Sequence, residues 1–161
     1  MKHEPPTAGR GRLHAIATGP GAESVDPTQF RADLLRQVSF NVLVGNGDAH
    51  AKNYSLLLDG GLFAMAPAYD VAPVFYVNDR FSDFGMCVDG QRGLRHLDER
   101  HLVREAQSWG MPEEAARSTV QGVALETLDA LDKVPVTELT AGVAQRVRSK
   151  AQSLAAGLSG S

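Results

Sequence analysis

The sequence of 161 residues lacks several features that define specialised protein classes. Cys87 is its only cysteine, which excludes an intrachain disulfide and a zinc site built on cysteines. The net charge of −3 gives no basic excess of the kind that predicts direct nucleic-acid binding. No apolar run approaches the roughly 20 residues of a membrane span, and the N-terminus lacks the apolar core of a signal peptide. We therefore expect a cytoplasmic protein that contacts neither membrane nor nucleic acid.

The N-terminal half of the sequence predicts an irregular segment followed by a helix and a hairpin. Residues 1–25 are rich in Gly, Pro and Ala, which favours irregular structure. Asp26 and Pro27 are typical of a helix start, because Asp caps free N–H groups and Pro suits the first helical position. Two short apolar runs, YSLLL and LFAMA, then flank the turn residues Asp59-Gly60-Gly61 and predict a β-hairpin.

The C-terminal half predicts a long loop and three helices. Residues 76–97 contain the polar stretch VNDRFSDF and the turn-like VDGQRG, so we interpret them as a loop. Helices are expected to begin near Asp98, Pro112 and Thr137, and the last should bury Leu139, Val143 and Val147. The predicted fold is mainly α with a small β-hairpin (α+β), as one domain over residues 26–157 followed by a flexible tail over residues 158–161.

A crowded polar loop, NVLVGNGDAHAKNYSLLL from Asn41 to Leu58, suggests a catalytic site. Phosphoryl transfer needs a carboxylate near the attacking hydroxyl and two oxygen ligands for the Mg²⁺ on the nucleotide phosphates. Kinase-type enzymes place the carboxylate and one ligand on a single loop as Asp-x₄-Asn, and the second ligand is an Asp beyond the next hairpin. Asp48, Asn53 and Asp70 occupy these three places in that order.

The segments GNGDAHAKNYSLLL and APAYDVAP resemble the HipA-like serine/threonine kinases, the toxin kinases of bacterial toxin–antitoxin pairs. The family pattern is approximately G-N-x-D-x-H-x-K-N, then a hairpin, then P-x-Y-D, and the resemblance covers most of residues 28–125. It implies the C-terminal lobe of a protein-kinase-like fold, a HipA-like C-terminal domain. Residues 1–25 would then be a remnant of the junction with another lobe.

The resemblance also implies roles for individual residues, with ATP and Mg²⁺ as cofactors. Asp48 would be the catalytic carboxylate that orients a Ser or Thr hydroxyl, and Asn53 and Asp70 would bind Mg²⁺. Lys52 would act with Asp48 in catalysis, as a counter-charge to the transferring phosphoryl group.

Three of the implied contacts lie on the phosphate or nucleotide side of the site. They come from His50, Lys52 and Tyr69. Each has a structural alternative, since a loop His is often only a hydrogen-bonding group and Tyr69 could serve core packing. Asp48 and Asn53 taken singly could also merely cap turns.

The sequence shows no lobe that would cover a nucleotide, since no Gly-rich strand-turn segment precedes Asp26. We expect a truncated gene, an excised fragment or one part of a split enzyme, with weak or absent activity alone. The expected partners are a protein substrate with a Ser or Thr hydroxyl, a separate N-terminal kinase lobe, and a HipB-like antitoxin with a helix-turn-helix.

Two other functions stay open at this point. A degenerate lobe could act as a non-catalytic module that binds an antitoxin or another partner chain. The chain could also be the lobe of a small-molecule kinase of the aminoglycoside phosphotransferase type, which shares the Asp-x₄-Asn arrangement. Those enzymes usually have a His-Gly-Asp triplet before the loop, whereas Asn46, Gly47 and Asp48 stand here, which favours the HipA-like interpretation.

Overall fold

The computed structural model describes residues 11–157, so the expectations for residues 1–10 and for the tail at 158–161 lie outside the described residues. Six helices and four short strands occur in this range, together with a single 3₁₀ turn at Ala51–Asn53. The helices are α1 Arg12–Thr18, α2 Pro27–Leu43, α3 Val74–Val77, α4 Glu99–Ser108, α5 Glu113–Lys133 and α6 Glu138–Ala155. The strands are β1 Leu56–Asp59, β2 Leu62–Met65, β3 Asp83–Val88 and β4 Gln91–Gly93.

Helix α2 begins as the sequence predicts. The Asp26 side chain accepts hydrogen bonds from the backbone N–H groups of Thr28 and Gln29, at 2.9 and 3.0 Å. This satisfies two of the donors that a helix start leaves free. One face of the helix then enters the core through Phe30, Leu34, Leu35, Val38, Val42 and Leu43.

Both β-sheets are antiparallel hairpins of two strands, and only the first was predicted. Gly60 and Gly61 both have positive φ and form the turn of the β1–β2 hairpin, in the expected place. The interpretation of residues 76–97 as a loop is wrong, because they contain α3, β3 and β4. In β3, Phe84, Met86 and Val88 alternate with less buried residues, so one face of the strand packs on the core.

The interpretation of residues 1–25 as irregular is wrong for Arg12–Thr18, which form α1. This helix has only seven residues and lies between Gly11 and Gly19, so local propensity does not explain it. It is stabilised by packing instead, since Leu13 and Ala17 are fully buried and α1 contacts α2 and β3.

The core lies mainly among the long helices, where α5 packs against α2, α4 and α6. The expected start of α4 is confirmed, since Asp98 caps it and accepts a hydrogen bond from the His101 N–H. The expectation that α6 buries Leu139 is wrong, because this side chain is 95% exposed at the first turn. None of the helices in the described range combines the length and apolar character that a bilayer crossing requires.

Candidate functional site

The crowded loop joins the end of α2 to the start of β1 and turns tightly on itself. Gly45 has a φ of +72°, a conformation that suits glycine. The Asp48 carbonyl accepts hydrogen bonds from the His50 N–H at 2.8 Å and from Asn53 Nδ2 at 3.4 Å. Asp48 and Asn53 are therefore neighbours, with the Asp48 side chain exposed and Asn53 almost buried.

The bond from Asn53 Nδ2 to a carbonyl determines which way the Asn53 amide points. A carbonyl can only accept, so the NH₂ group of Asn53 must face Asp48. The Oδ1 atom of Asn53 then faces away from this bond, and no donor within residues 11–157 contacts it. This oxygen is free to act as a ligand, as the predicted role of Asn53 requires.

The segment that carries Asp70 lies directly against the crowded loop. The Asp70 carbonyl accepts a hydrogen bond from Asn46 Nδ2 at 3.2 Å. Tyr69 donates its hydroxyl to the Lys52 carbonyl at 2.6 Å, and the same hydroxyl lies 2.8 Å from Ser55 Oγ. Two separate contacts thus join the segments, and the residues predicted to hold the metal lie on adjoining stretches of backbone.

Asp70 has a φ of 54°, in the left-handed region that few residues other than glycine adopt. Asp and Asn are the side chains that tolerate this region best, although it still carries some strain. The hydrogen bond from Asn46 to the Asp70 carbonyl helps to hold this conformation. The position therefore favours an Asp for a structural reason as well as for its charge.

A buried chain of amides lies behind the loop, and sequence reasoning gave its members no role. Asn41 Nδ2 donates to the Gln37 carbonyl at 2.9 Å and lies 3.4 Å from the Tyr54 hydroxyl. Asn41 Oδ1 then accepts from Asn46 Nδ2 at 2.7 Å. Burial raises the pKa of Tyr54, an effect that the bond with Asn41 partly offsets, so the phenol stays protonated.

Two sequence signals pointed to this chain: Asn41 lies near the end of an apolar helix, and Asn46 is the Asn of the G-N-x-D pattern. A polar residue in such a helix is unusual because a buried amide needs partners. Asn46, the next member, is 1% exposed and bonds both Asn41 and Asp70. The amide chain therefore connects α2 to the Asp70 backbone through hydrogen bonds.

Two further elements support the loop from other sides. A Cβ atom added at Gly85 of β3 would lie 2.5 Å from the Ala49 carbonyl oxygen, so the strand touches the loop backbone. At the loop start, the Phe75 N–H donates to the Gly45 carbonyl at 3.0 Å and the Tyr76 hydroxyl to the Leu43 carbonyl at 2.9 Å. Burial raises the pKa of Tyr76 to about 12, so it keeps this proton.

The other predicted site residues differ in exposure. The Lys52 side chain is exposed and makes no ion pair with any described residue, so its charge is available to a ligand. His50 is partly exposed, but its Nδ1 is buried without a partner in the described part of the chain. The Tyr69 ring is 46% exposed while its hydroxyl is engaged by the loop, so this residue positions the loop as well.

The oxygen donors at this site fit Mg²⁺ better than a softer metal. Within residues 11–157, no group of three or more His, Cys, Asp or Glu side chains could hold a metal by itself. Mg²⁺ commonly uses one or two carboxylates and completes its shell with water and substrate phosphates. The carboxylate of Asp70 and the free Oδ1 of Asn53 match that donor set.

The fold is mainly helical with two small antiparallel hairpins. The chain belongs to the HipA-like C-terminal domain family, whose model matches residues 12–131. This match begins at α1, the helix that sequence reasoning missed.

Comparisons with individual proteins agree with this family. The chain is 27% identical over 123 residues to the serine/threonine-protein kinase toxin HipA of Shewanella oneidensis, covering 76% of the chain and 28% of that protein. It is 30% identical over 111 residues to Y4mE of Sinorhizobium fredii, a protein named as a kinase, covering 69% of the chain and 26% of Y4mE. The chain therefore spans little more than a quarter of the length of these relatives.

The fold also matches a solved structure. The Shewanella oneidensis toxin–antitoxin complex of HipA, HipB and operator DNA contains a chain that superposes with a TM-score of 0.72. The match covers 88% of this chain and 34% of the solved one, at 23% identity. At that identity the likeness concerns the fold.

Proposed function

We propose that this chain is the catalytic lobe of a serine/threonine protein kinase that transfers the γ-phosphoryl group of Mg²⁺-ATP to a protein hydroxyl. The observation that supports this most directly is the contact between the loop carrying Asp48 and Asn53 and the segment carrying Asp70. Kinase chemistry needs one carboxylate at the acceptor hydroxyl and two oxygen ligands beside it, and Asp48, Asn53 and Asp70 are side chains of these types on adjoining segments.

Each residue of the proposed site has one task in the reaction. Asp48 is exposed, so its carboxylate can accept the hydrogen bond of a Ser or Thr hydroxyl and take its proton. The hydroxyl oxygen forms the new bond to the γ-phosphorus, and the bond to the bridging oxygen of ADP breaks. Asn53 Oδ1 and the Asp70 carboxylate would hold Mg²⁺, which when bound neutralises charge on the phosphates.

The remaining predicted residues serve the phosphate side of this site. Lys52 supplies a mobile positive charge toward the transferring group, since no described carboxylate neutralises it. The His50 N–H holds this residue to the Asp48 carbonyl, and Tyr69 is 46% exposed while its hydroxyl donates to the Lys52 backbone carbonyl. We propose that all three contact the nucleotide.

A separate N-terminal lobe is part of this proposal. The β1–β2 hairpin exposes Leu57, Leu58 and Leu62 to 52%, 68% and 44%, and Val25 beside β2 is 62% exposed. Leu57 and Leu62 share one face of the hairpin, because Leu57 lies two residues from Asp59, which pairs with Leu62. Exposed apolar side chains on one face favour a surface that another body covers. The relatives are more than three times as long as the matched region, so a lobe of theirs is available to cover such a face.

We also propose that the kinase acts within a toxin–antitoxin pair, with a helix-turn-helix antitoxin as partner. The support is family membership and the likeness to a chain in a complex of HipA, HipB and operator DNA. The same membership supports a protein acceptor over an aminoglycoside-type acceptor.

The decisive experiment compares cells that express the wild-type chain, the Asp48→Asn variant or a matched Asp129→Asn control. In each case the proteins encoded by the neighbouring genes are expressed together with the chain. Asp129 lies on α5 and, among residues 11–157, pairs on the surface with Lys133 alone. We expect phosphorylated Ser and Thr sites, measured by mass spectrometry, in wild type and control but not in Asp48→Asn.

The outcome also separates catalysis from binding. Sites that persist unchanged in Asp48→Asn cells would contradict the proposal. A growth effect that survives the same substitution, without any new phosphorylation, would favour a non-catalytic module that acts by holding a partner chain.

A further inference from the structure

A second concave surface, which we call the α3–α6 groove, lies between α3, the β4–α4 connection and α6. It encloses about 490 Å³, within the range of small-molecule sites. The residues that matter for its chemistry are Tyr76, Asp79, Arg95, Arg146, Ser149 and Lys150.

The groove concentrates positive charge although the whole chain is acidic. Three cations line it, Arg95, Arg146 and Lys150, against the single carboxylate of Asp79. Arg95 reaches Asp79 only at 3.8 Å, and both side chains are more than half exposed, so the pair is weak. Arg146 forms no ion pair with any residue in the described range, although it lies near the Tyr76 phenol.

Lys150 is a fixed cation at the base of this groove. Its Nζ donates to the Leu94 carbonyl at 3.2 Å and also to the Leu97 carbonyl. Burial lowers the pKa of Lys150, although the charge of Asp98 acts in the opposite direction. The two hydrogen bonds hold the Lys150 Nζ in place before any ligand arrives, which reduces the ordering cost of binding.

We propose that the α3–α6 groove binds the phosphate group of a small phosphorylated molecule. The guanidinium of Arg146 offers paired N–H donors that match phosphate geometry, and the Ser149 hydroxyl stands one helical turn from it. Lys150 adds a fixed positive charge, and the aromatic rings of Phe75 and Tyr76 on α3 provide an apolar wall for the rest of the ligand.

The groove shares an element with the candidate catalytic site. Phe75 and Tyr76 line the groove and also hold the carbonyls of Gly45 and Leu43, where the crowded loop begins. A ligand in the groove would thus contact the residues that support the loop. The inference does not depend on the proposed kinase activity, because the groove uses none of Asp48, Asn53 or Asp70.

The test is an NMR titration of the ¹⁵N-labelled full chain with inorganic phosphate and with glycerol 3-phosphate. Acetate, a singly charged anion without a phosphate group, is the control ligand. We expect saturable shifts at residues of α3 and α6 with both phosphates and none with acetate. Arg146→Gln should weaken the affinity for glycerol 3-phosphate about tenfold or more, because a charge-assisted bidentate contact is lost.

The matched control is Arg148→Gln, two residues along the same helix, where the side chain pairs with Asp132 outside the groove. It should bind as wild type does. Equal affinity in the Arg146 and Arg148 variants would overturn the inference, as would shifts confined to Asp48–Asn53 or equal shifts with acetate. An Asp48→Asn chain that loses phosphoryl transfer but keeps groove shifts would separate the two proposals.

Discussion

The helical end of the molecule, formed by α4, α5 and α6, is stabilised mainly by apolar side chains that leave water. The loop end, formed by the crowded loop and the Asp70 segment, is stabilised by side chains that donate to backbone carbonyls. Asn46 and Tyr69 are examples at the loop end, whereas Leu102 and Trp109 are examples of the buried helical core. Hydrogen bonds fix direction, while apolar burial supplies most of the free energy of folding.

This difference indicates where substitutions should affect folding and where they should affect chemistry. At the helical end, side chains fill volume, and their truncation leaves cavities. At the loop end, the side chains of Asp48 and Lys52, which we propose to act in catalysis, are exposed, and they can be exchanged with little loss of packing.

Trp109→Ala should give the largest loss of stability. The indole is 2% exposed, and its Nε1 donates to the nearly buried Glu105 Oε1 at 3.0 Å. We expect the free energy of unfolding to fall by about 3–5 kcal/mol, measured by urea denaturation. Leu139→Ala is the matched control at a 95% exposed position and should stay within about 0.5 kcal/mol of wild type. Similar losses in both variants would show that burial at the helical end does not decide stability.

Gly85→Ala should show that the loop end depends on close backbone contact. A Cβ here would lie 2.5 and 2.6 Å from the Ala49 carbonyl oxygen and carbon, so strand and loop must separate. We expect the free energy of unfolding to fall by about 1–3 kcal/mol in the same urea assay. The NMR chemical shifts of the amides along the crowded loop should also change.

Gly122→Ala on α5 is the control for this substitution. Nothing lies within 4 Å of the added Cβ, and the position is inside a helix. We therefore expect the free energy of unfolding to rise by about 0.5–1 kcal/mol. A Gly85→Ala variant as stable as wild type, with an unchanged loop spectrum, would contradict the contact between β3 and the loop.

Acid should remove a smaller contribution at the helical end. Burial alone would raise the pKa of Asp98, but hydrogen bonds from His101 and Arg100 outweigh it and lower the pKa below 3.8. The contribution of the charged carboxylate is therefore full above pH 3.8 and is lost as the pH falls through the lowered pKa. At neutral pH, the free energy of unfolding of wild type should exceed that of the Asp98→Asn variant by about 0.5–1 kcal/mol. This difference should shrink in acid.

Urea denaturation of both chains across the acid range measures this difference. A constant gap between wild type and the Asp98→Asn variant at every pH would mean that the carboxylate contributes through its shape alone. An increasing gap in acid would contradict the direction of the pKa shift.

Local chemistry explains which elements could be predicted from sequence. The starts of α2 and α4 follow from Asp26 and Asp98, because capping involves residues only a few positions away. The β1–β2 hairpin follows from Gly60 and Gly61 for the same reason. Helix α1 and strand β3 were missed because their burial depends on distant partners, as for Leu13 against the rest of the core.

The candidate site divides in the same way. The identity of Asp48, Asn53 and Asp70 could be predicted from their spacing, and their roles stay predictions. The amides that hold them could not, since Asn41, Asn46 and the Asp70 carbonyl meet only after the chain folds. The α3–α6 groove likewise joins residues separated by about half the sequence.

The left-handed backbone at Asp70 has a consequence for how such a lobe can decay over generations. Glycine would keep the shape and abolish the ligand, while asparagine would keep both shape and size and remove only the charge. A lobe that had lost its activity could therefore keep an almost identical backbone structure. Aspartate and asparagine at this position would differ by one carboxylate oxygen, which is the atom that the proposed metal site would lose.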